Sequence, residues 1–205
     1  MSSPQRQTKR LLERPSGYNV DEARAIGNLA QDVSILWREL PVPVLAVLHG
    51  MCFGGGLQIA LGADMRYSTP DCKLSIMESK YGLVPDMGAS ITLPDIVGLD
   101  IAKELTFTGR IIDGKQAQSY GLVTHCCEDP LAHAEALAKE LVQRSPDAIA
   151  SAKKLYQASW TKKSSEKEYL QMETDLQAKL LASWNQLASS GRAFGWKIPY
   201  FKRKD

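Results

Sequence analysis

Between residues 43 and 124, short apolar runs alternate with segments of helical spacing, and glycine, proline or aspartate marks each junction. Pro43-Val44-Leu45-Ala46-Val47-Leu48 is a continuous run closed by His49-Gly50, which predicts a strand buried on both faces. Leu57-Gln58-Ile59-Ala60-Leu61 predicts a helix packed behind it and running to about Gly62. Strands are expected at Met65–Ser68 and Lys73–Met77, around a Pro70-Asp71 turn. Glu78 to Ser90, with Gly82, Pro85 and Gly88, reads as a loop, and helical spacing resumes at Ile91. Leu99 to Thr108 predicts a helix ended by Gly109. Asp113 caps a short helix that stops at Gly121, and Leu122-Val123-Thr124 reads as the last strand. Upstream, Ala25, Leu29, Val33, Leu36, Trp37 and Leu40 keep helical spacing from a start at Asn19-Val20-Asp21 until Pro41. Buried strands alternating with helices predict an α/β layered core.

Beyond Thr124 the chain reads as helical. Asp129-Pro130 and Ser145-Pro146 are each a cap followed by proline at the first helical position. Ser165-x-x-Glu168 is a capping box opening one longer helix, on which Tyr169, Met172, Leu176, Leu180, Trp184 and Leu187 form a single apolar stripe. That stripe suits packing within the chain or docking onto a neighbouring subunit. The expected organisation is a leader over 1–18, an α/β core over 19–127 and a helical region over 128–205.

Composition narrows the function. The 205 residues are 44% hydrophobic and 23% charged, ordinary for a globular protein with one core. A net charge of +2 points to no nucleic-acid or membrane-surface partner, and no apolar run reaches the roughly 18 residues of a membrane span. Four cysteines without paired spacing and three scattered histidines argue against a disulfide framework and against a metal centre. A reducing compartment, cytoplasm or mitochondrial matrix, fits that cysteine usage. Met1 to Leu12 is basic and free of acids, faintly like a transit peptide, but reads as a disordered leader.

The chemistry concentrates at Gly54-Gly55-Gly56, set between apolar strand and helix. Glycine lets the backbone approach a ligand closely, and the unpaired N–H groups of a helix start favour a phosphate or an oxygen that gains negative charge. No GK[ST] and no G-x-G-x-x-G is present, so neither a P-loop nor a dinucleotide fingerprint fits. The alternatives are an oxyanion site for acyl chemistry or a turn made for close packing.

The order of these elements resembles the crotonase superfamily, the enoyl-CoA hydratases and isomerases. The resemblance rests on Pro41-Val42-Pro43-Val44, His49-Gly50, Gly54-Gly55-Gly56 and Ala63-Asp64-Met65-Arg66-Tyr67. It continues through Glu78, Gly82-Leu83-Val84-Pro85-Asp86-Met87-Gly88, Leu105-Thr106-Phe107-Thr108-Gly109-Arg110, Ala117 and Gly121-Leu122-Val123. It implies a core of spiralling ββα turns with a C-terminal helical trimerisation region, assembly as a homotrimer or hexamer, and acyl-CoA thioester substrates. No separate cofactor is implied, because coenzyme A is part of the substrate. The thioester enolate would be held by the Gly55 N–H, a kind of donor that contributes about 3–4 kcal/mol to a transition state.

Two departures from the family qualify this expectation. Family members carry, ahead of the leader helix, strands and a loop that donates the second oxyanion N–H, and the chain is expected to begin after that segment, as an N-terminally truncated core. Hydratases also use two carboxylates, a base for water and an acid for the α-carbon. Here the first position is Gln58, whose amide orients groups but exchanges no proton, and the second is Glu78. A double-bond shift needs one proton carrier, so isomerisation of an enoyl-CoA or dienoyl-CoA is expected over hydration, with Glu78 as that carrier. Asp86 stands where dienoyl-CoA isomerases have an additional aspartate, although Asp after Pro85 is also an ordinary turn residue. Gln58 either positions substrate or water or makes a structural hydrogen bond. His49 reads as structural. The family also places C-terminal residues near the CoA of an adjacent subunit, where Lys197 falls; the residues alone read as a surface tail. A catalytically impaired subunit kept for assembly or acyl-CoA binding is the rival expectation.

Overall fold

A computed structural model of the protein describes residues 28–160 and 164–201. The leader and the helix start expected at Asn19-Val20-Asp21 lie outside the described residues. The described residues form two compact units, 28–38 with 44–130 and 39–43 with 131–201.

The first unit opens with α1 (Leu29–Glu39). Asn28 and Gln31 cap its start reciprocally, each side-chain oxygen accepting the other's backbone N–H at 3.1 and 3.0 Å. The helix ends just ahead of Pro41, as the restricted residue before a proline requires. Two small parallel sheets follow. In the first, β1 (Leu45–Leu48), β3 (Met65–Ser68) and β5 (His125–Cys126) lie in the order β1-β3-β5. In the second, β2 (Met51–Phe53) lies against β4 (Lys73–Ser75). Between them the chain forms α2 (Gly55–Leu61), and after β4 come α3 (Ala89–Thr92), α4 (Leu99–Thr108) and α5 (Gly114–Ser119). Asp113 caps α5 through a capping box with Gln116, and Gly109 ends α4 in the left-handed conformation, as expected. Leu57, Leu61, Leu74, Ile76, Leu122 and Val123 form the centre of the core, each at most 2% exposed.

Four expectations need correction. β1 is half-buried apart from Leu48, because among the described residues it is an edge strand with β3 as its single partner. The three residues of β2 form a strand of their own, too short to stand out beside the glycines. β4 ends at Ser75, since Glu78–Tyr81 already winds into a 3-10 turn. The last strand is displaced to His125-Cys126: Leu122 and Val123 are spent on the core, and Thr124 Oγ1 accepts the Arg66 N–H at 3.1 Å.

Arg66 is buried on β3 and holds this corner from within. Its Nε donates to Leu122 O at 2.9 Å and a terminal nitrogen donates to Ala63 O at 2.7 Å. Burial pushes its pKa down to about 10, with Asp64 pulling the other way, so the group stays cationic at neutral pH.

The second unit is helical: α6 (Pro130–Leu141), α7 (Pro146–Trp160), α8 (Glu166–Leu180) and α9 (Trp184–Ala193). The Ser165–Glu168 capping box opens α8 as expected. The single stripe from Tyr169 to Leu187 is corrected to two helices. Ser183 is a second N-cap, accepting the Gln186 N–H, and Ala182 at φ 60° turns the chain before it. The tail folds back along α9: the Phe201 N–H donates to Asn185 Oδ1 at 2.8 Å, and Trp184 stacks on Phe201 at 4.9 Å between centroids. Among the described residues no helix is long and apolar enough to cross a membrane.

Gly62, at the end of α2, lies against the backbone of α1, where a Cβ would run into the carbonyl oxygen of buried Ser34. Backbone cannot give way as a flexible side chain can. Gly62→Ala is expected to lower stability by about 1–3 kcal/mol, read as a lower urea midpoint at unchanged m-value.

Candidate active site

The parallel register of β2 on β4 pairs Phe53 with Ser75. One residue further, the Gly54 N–H still donates to Ser75 O at 2.9 Å, so the ladder continues up to the glycine turn. Gly54 then adopts φ 53°, ψ −123°, a conformation natural to glycine and strained for any residue with a Cβ. Its carbonyl accepts the Gln58 N–H at 3.0 Å, and α2 begins. The first N–H groups of that helix, Gly55 and Gly56 among them, have no intrahelical acceptor. Three residues past Ser75 on the partner strand, the chain arrives at Glu78. Both strands end at one level, so the carboxylate and the glycine turn meet. A Cβ on Gly54 would stand 3.4 Å from Glu78 Oε1.

Gln58 lies on α2, 1% exposed, and bridges two neighbours. Its Nε2 donates to Glu78 Oε1 at 2.6 Å, and its Oε1 accepts the Met87 N–H at 2.8 Å. The partners fix the amide's orientation, because a carboxylate only accepts and a backbone N–H only donates. The other Glu78 oxygen, Oε2, is buried and takes no hydrogen bond from any described residue. Met87 returns to the glycines through its side chain: a Cβ on Gly55 would lie 2.8 Å from its Sδ.

The structure therefore brings Gly54, Gly55, Gln58 and Glu78 together, while Gly56 is exposed on the next residue of the turn. Asp86 is exposed and lines a separate cavity of about 290 Å³ with Gln31, Asp32, Ile35, Gly88 and Ile91; Glu78 does not line it. Lys197 belongs to the second unit, in an open groove with Arg192, Trp196 and Pro199. Sequence reasoning missed Met87. Its contribution is a backbone N–H and the reach of a thioether, neither of which residue type reveals. Among the described residues no group of His, Cys, Asp or Glu is arranged to hold a metal ion.

Comparison with known proteins shows the family. The family model for enoyl-CoA hydratase/isomerase matches residues 18–194. The chain belongs to that family. Among curated relatives, human mitochondrial methylglutaconyl-CoA hydratase is 38% identical over 120 residues, 56% of this chain and 35% of that protein. Carnitinyl-CoA dehydratase of Citrobacter koseri is 35% identical over 123 residues, 59% of this chain and 47% of that one. The chain thus matches between a third and a half of the length of these relatives. A probable enoyl-CoA hydratase/isomerase from Mycobacterium abscessus superposes with a TM-score of 0.79 at 28% identity, covering 85% of this chain and 69% of that one. An enoyl-CoA hydratase/isomerase from Cupriavidus metallidurans gives 0.72 at 32% identity, covering 82% and 65%. The fold is the crotonase fold, as the resemblance implied.

Gly54→Ala puts a side chain at a positive φ that L residues rarely adopt, while its Cβ would only touch the Glu78 carboxylate. It is expected to cost about 1–3 kcal/mol, measured by denaturant unfolding.

Proposed function

We propose that the protein is an acyl-CoA enzyme that stabilises a thioester enolate and shifts a double bond in an enoyl-CoA or dienoyl-CoA. The observation that carries this reading is Glu78: a lone carboxylate beside the glycine turn, with Oε1 pinned by a neutral amide and Oε2 unpartnered among the described residues. In a 3-enoyl thioester, the Glu78 carboxylate takes a proton from C2. The C–H electron pair moves into the conjugated system, and the thioester oxygen gains negative charge facing the Gly55 N–H. The same carboxyl then returns the proton to C4, which leaves the double bond between C2 and C3 and the carboxylate as it began. No second acid is consumed. For a conjugated diene, whose far end lies beyond the reach of one carboxylate, the sequence offers Asp86, which the structure sets in a cavity that Glu78 does not line. Coenzyme A arrives with the substrate, and assembly as a homotrimer or hexamer in a reducing compartment belongs to the same reading. The mitochondrial designation of several relatives favours the matrix.

Hydration is the second reading, favoured by relatives named as a hydratase and a dehydratase. It asks more of the site, because Gln58 occupies the place of one of the two carboxylates and is already bound on both sides.

Turnover of a panel of 3-enoyl-, 3,5-dienoyl- and 2-enoyl-CoA separates the readings. Isomerisation of the first two should exceed hydration of the third, and Glu78→Gln should lower it by about 10²–10⁴-fold. Faster hydration than isomerisation selects the second reading. Binding of acyl-CoA without turnover of any member selects an assembly or binding subunit.

A further inference from the structure

The hydrogen bonds of Gln58 place it next to the proposed proton carrier in a way that packing alone does not require. The side chain is 1% exposed and lies among core residues, where an apolar residue of similar length would fill the same volume. Its amide instead joins two polar groups from different segments, Glu78 Oε1 on the turn after β4 and the Met87 N–H in the following loop. A glutamate there would accept from Met87 equally well, yet would set a second acceptor 2.6 Å from a carboxylate oxygen, a spacing that two ionised carboxylates do not tolerate. The amide is the side chain of this length that donates to one neighbour and accepts from the other without carrying charge. Its backbone is tied as firmly: the Gln58 N–H closes on Gly54 O, in the turn that presents Gly55.

We infer that Gln58 is the positioning residue of the site: its amide holds Glu78 Oε1 and thereby fixes the place of the carboxylate relative to the Gly55 N–H. The inference deepens the proposed function and rests on Glu78 being the proton carrier. Gln58 touches no reacting atom in this account. It acts through Glu78, and the Met87 bond holds the amide plane so that Nε2 faces the carboxylate. Losing that plane frees Glu78 to rotate about its side-chain torsions, and a base misplaced by about 1 Å can lose on the order of 10²-fold in rate.

Steady-state kinetics of Gln58→Met, Gln58→Glu and Glu78→Gln in the whole chain, on 3-enoyl-CoA, tests this. Gln58→Met keeps the volume and removes both hydrogen bonds. With folding verified by circular dichroism, its kcat should fall by about 10–100-fold while KM stays within about 3-fold, because the substrate-binding contacts are untouched. An unchanged kcat in the folded variant overturns the inference, leaving Gln58 a structural residue. A raised KM with unchanged kcat overturns it in favour of direct substrate contact. Should Gln58→Met fail to fold, Gln58→Glu decides: it keeps the acceptor for Met87 and replaces the donor toward Glu78, so a lower kcat supports the inference and an undiminished one overturns it. Glu78→Gln separates the two levels. If it retains turnover, or if the unaltered chain has none, the proton-carrier reading falls and takes this inference with it. If it abolishes turnover while the Gln58 variants match the unaltered kcat, the inference alone falls.

Discussion

The site depends on the parallel register that sets Phe53 beside Ser75. Parallel strands bring their carboxyl ends to the same edge, which is where ligand groups gather in α/β folds. Here one strand runs straight into the glycine turn and the other reaches Glu78 three residues later. A slip of one residue would flip the side chains of β4 and turn Leu74, which is fully buried, toward the opposite face. The register is therefore held by the core. It is held from the other side as well, because Leu74 also exchanges both backbone hydrogen bonds with Ile112, each at 2.9 Å.

Given that register, the chemistry of the proposed site turns on which side chains face Glu78. Two carboxylates within hydrogen-bond distance share a proton, and their protonation states become linked. A neutral amide removes that sharing and leaves one carboxylate in the pair. A single carboxylate suits a reaction in which a proton leaves one carbon and arrives at another, with the same group in both roles. Water addition needs a base and an acid at the same time. If Glu78 is the proton carrier, the Gln58–Glu78 pair favours the double-bond shift over hydration at the level of proton inventory, before any question of substrate.

Much of the first unit was legible from local signals. The Asp113 capping box and the Gly109 stop at the end of α4 are written in a few adjacent residues, and the structure follows them. What escaped was set by partners distant in sequence. β2 has only three residues, and its strand character comes from β4, twenty-two positions later. The displaced last strand reflects competition, since Leu122 and Val123 could pair or fill the core and burial prevailed. The break before Trp184 escaped because the hydrophobic stripe continues in phase across it, although Ser183 caps the new helix. In the site, the glycines stood out by residue type and Glu78 by its place in the family pattern. The role of Met87 did not, because a backbone donor is invisible to any reading of side chains.

Met87 also shows how a loop with little burial can still be placed. Leu83 and Val84 are 63% and 74% exposed, so this stretch gains little from the core, and such segments open at low free energy. Anchors at its far end compensate. Gly88 is buried at φ 92°, and a Cβ there would stand 2.6 Å from Ile35 Cδ1 on α1, so the loop returns to the unit where only glycine fits. The Met87 N–H, one residue earlier, then falls within reach of the Gln58 amide. Helix α1 thereby bears on the orientation of Glu78 through Gly88, Met87 and Gln58, although neither of its ends carries a group of the site. The chain of contacts is short, each link is a packed or hydrogen-bonded pair, and it runs through backbone as much as side chain. A site of a few residues is thus held in part from α1, outside its own loop and strands.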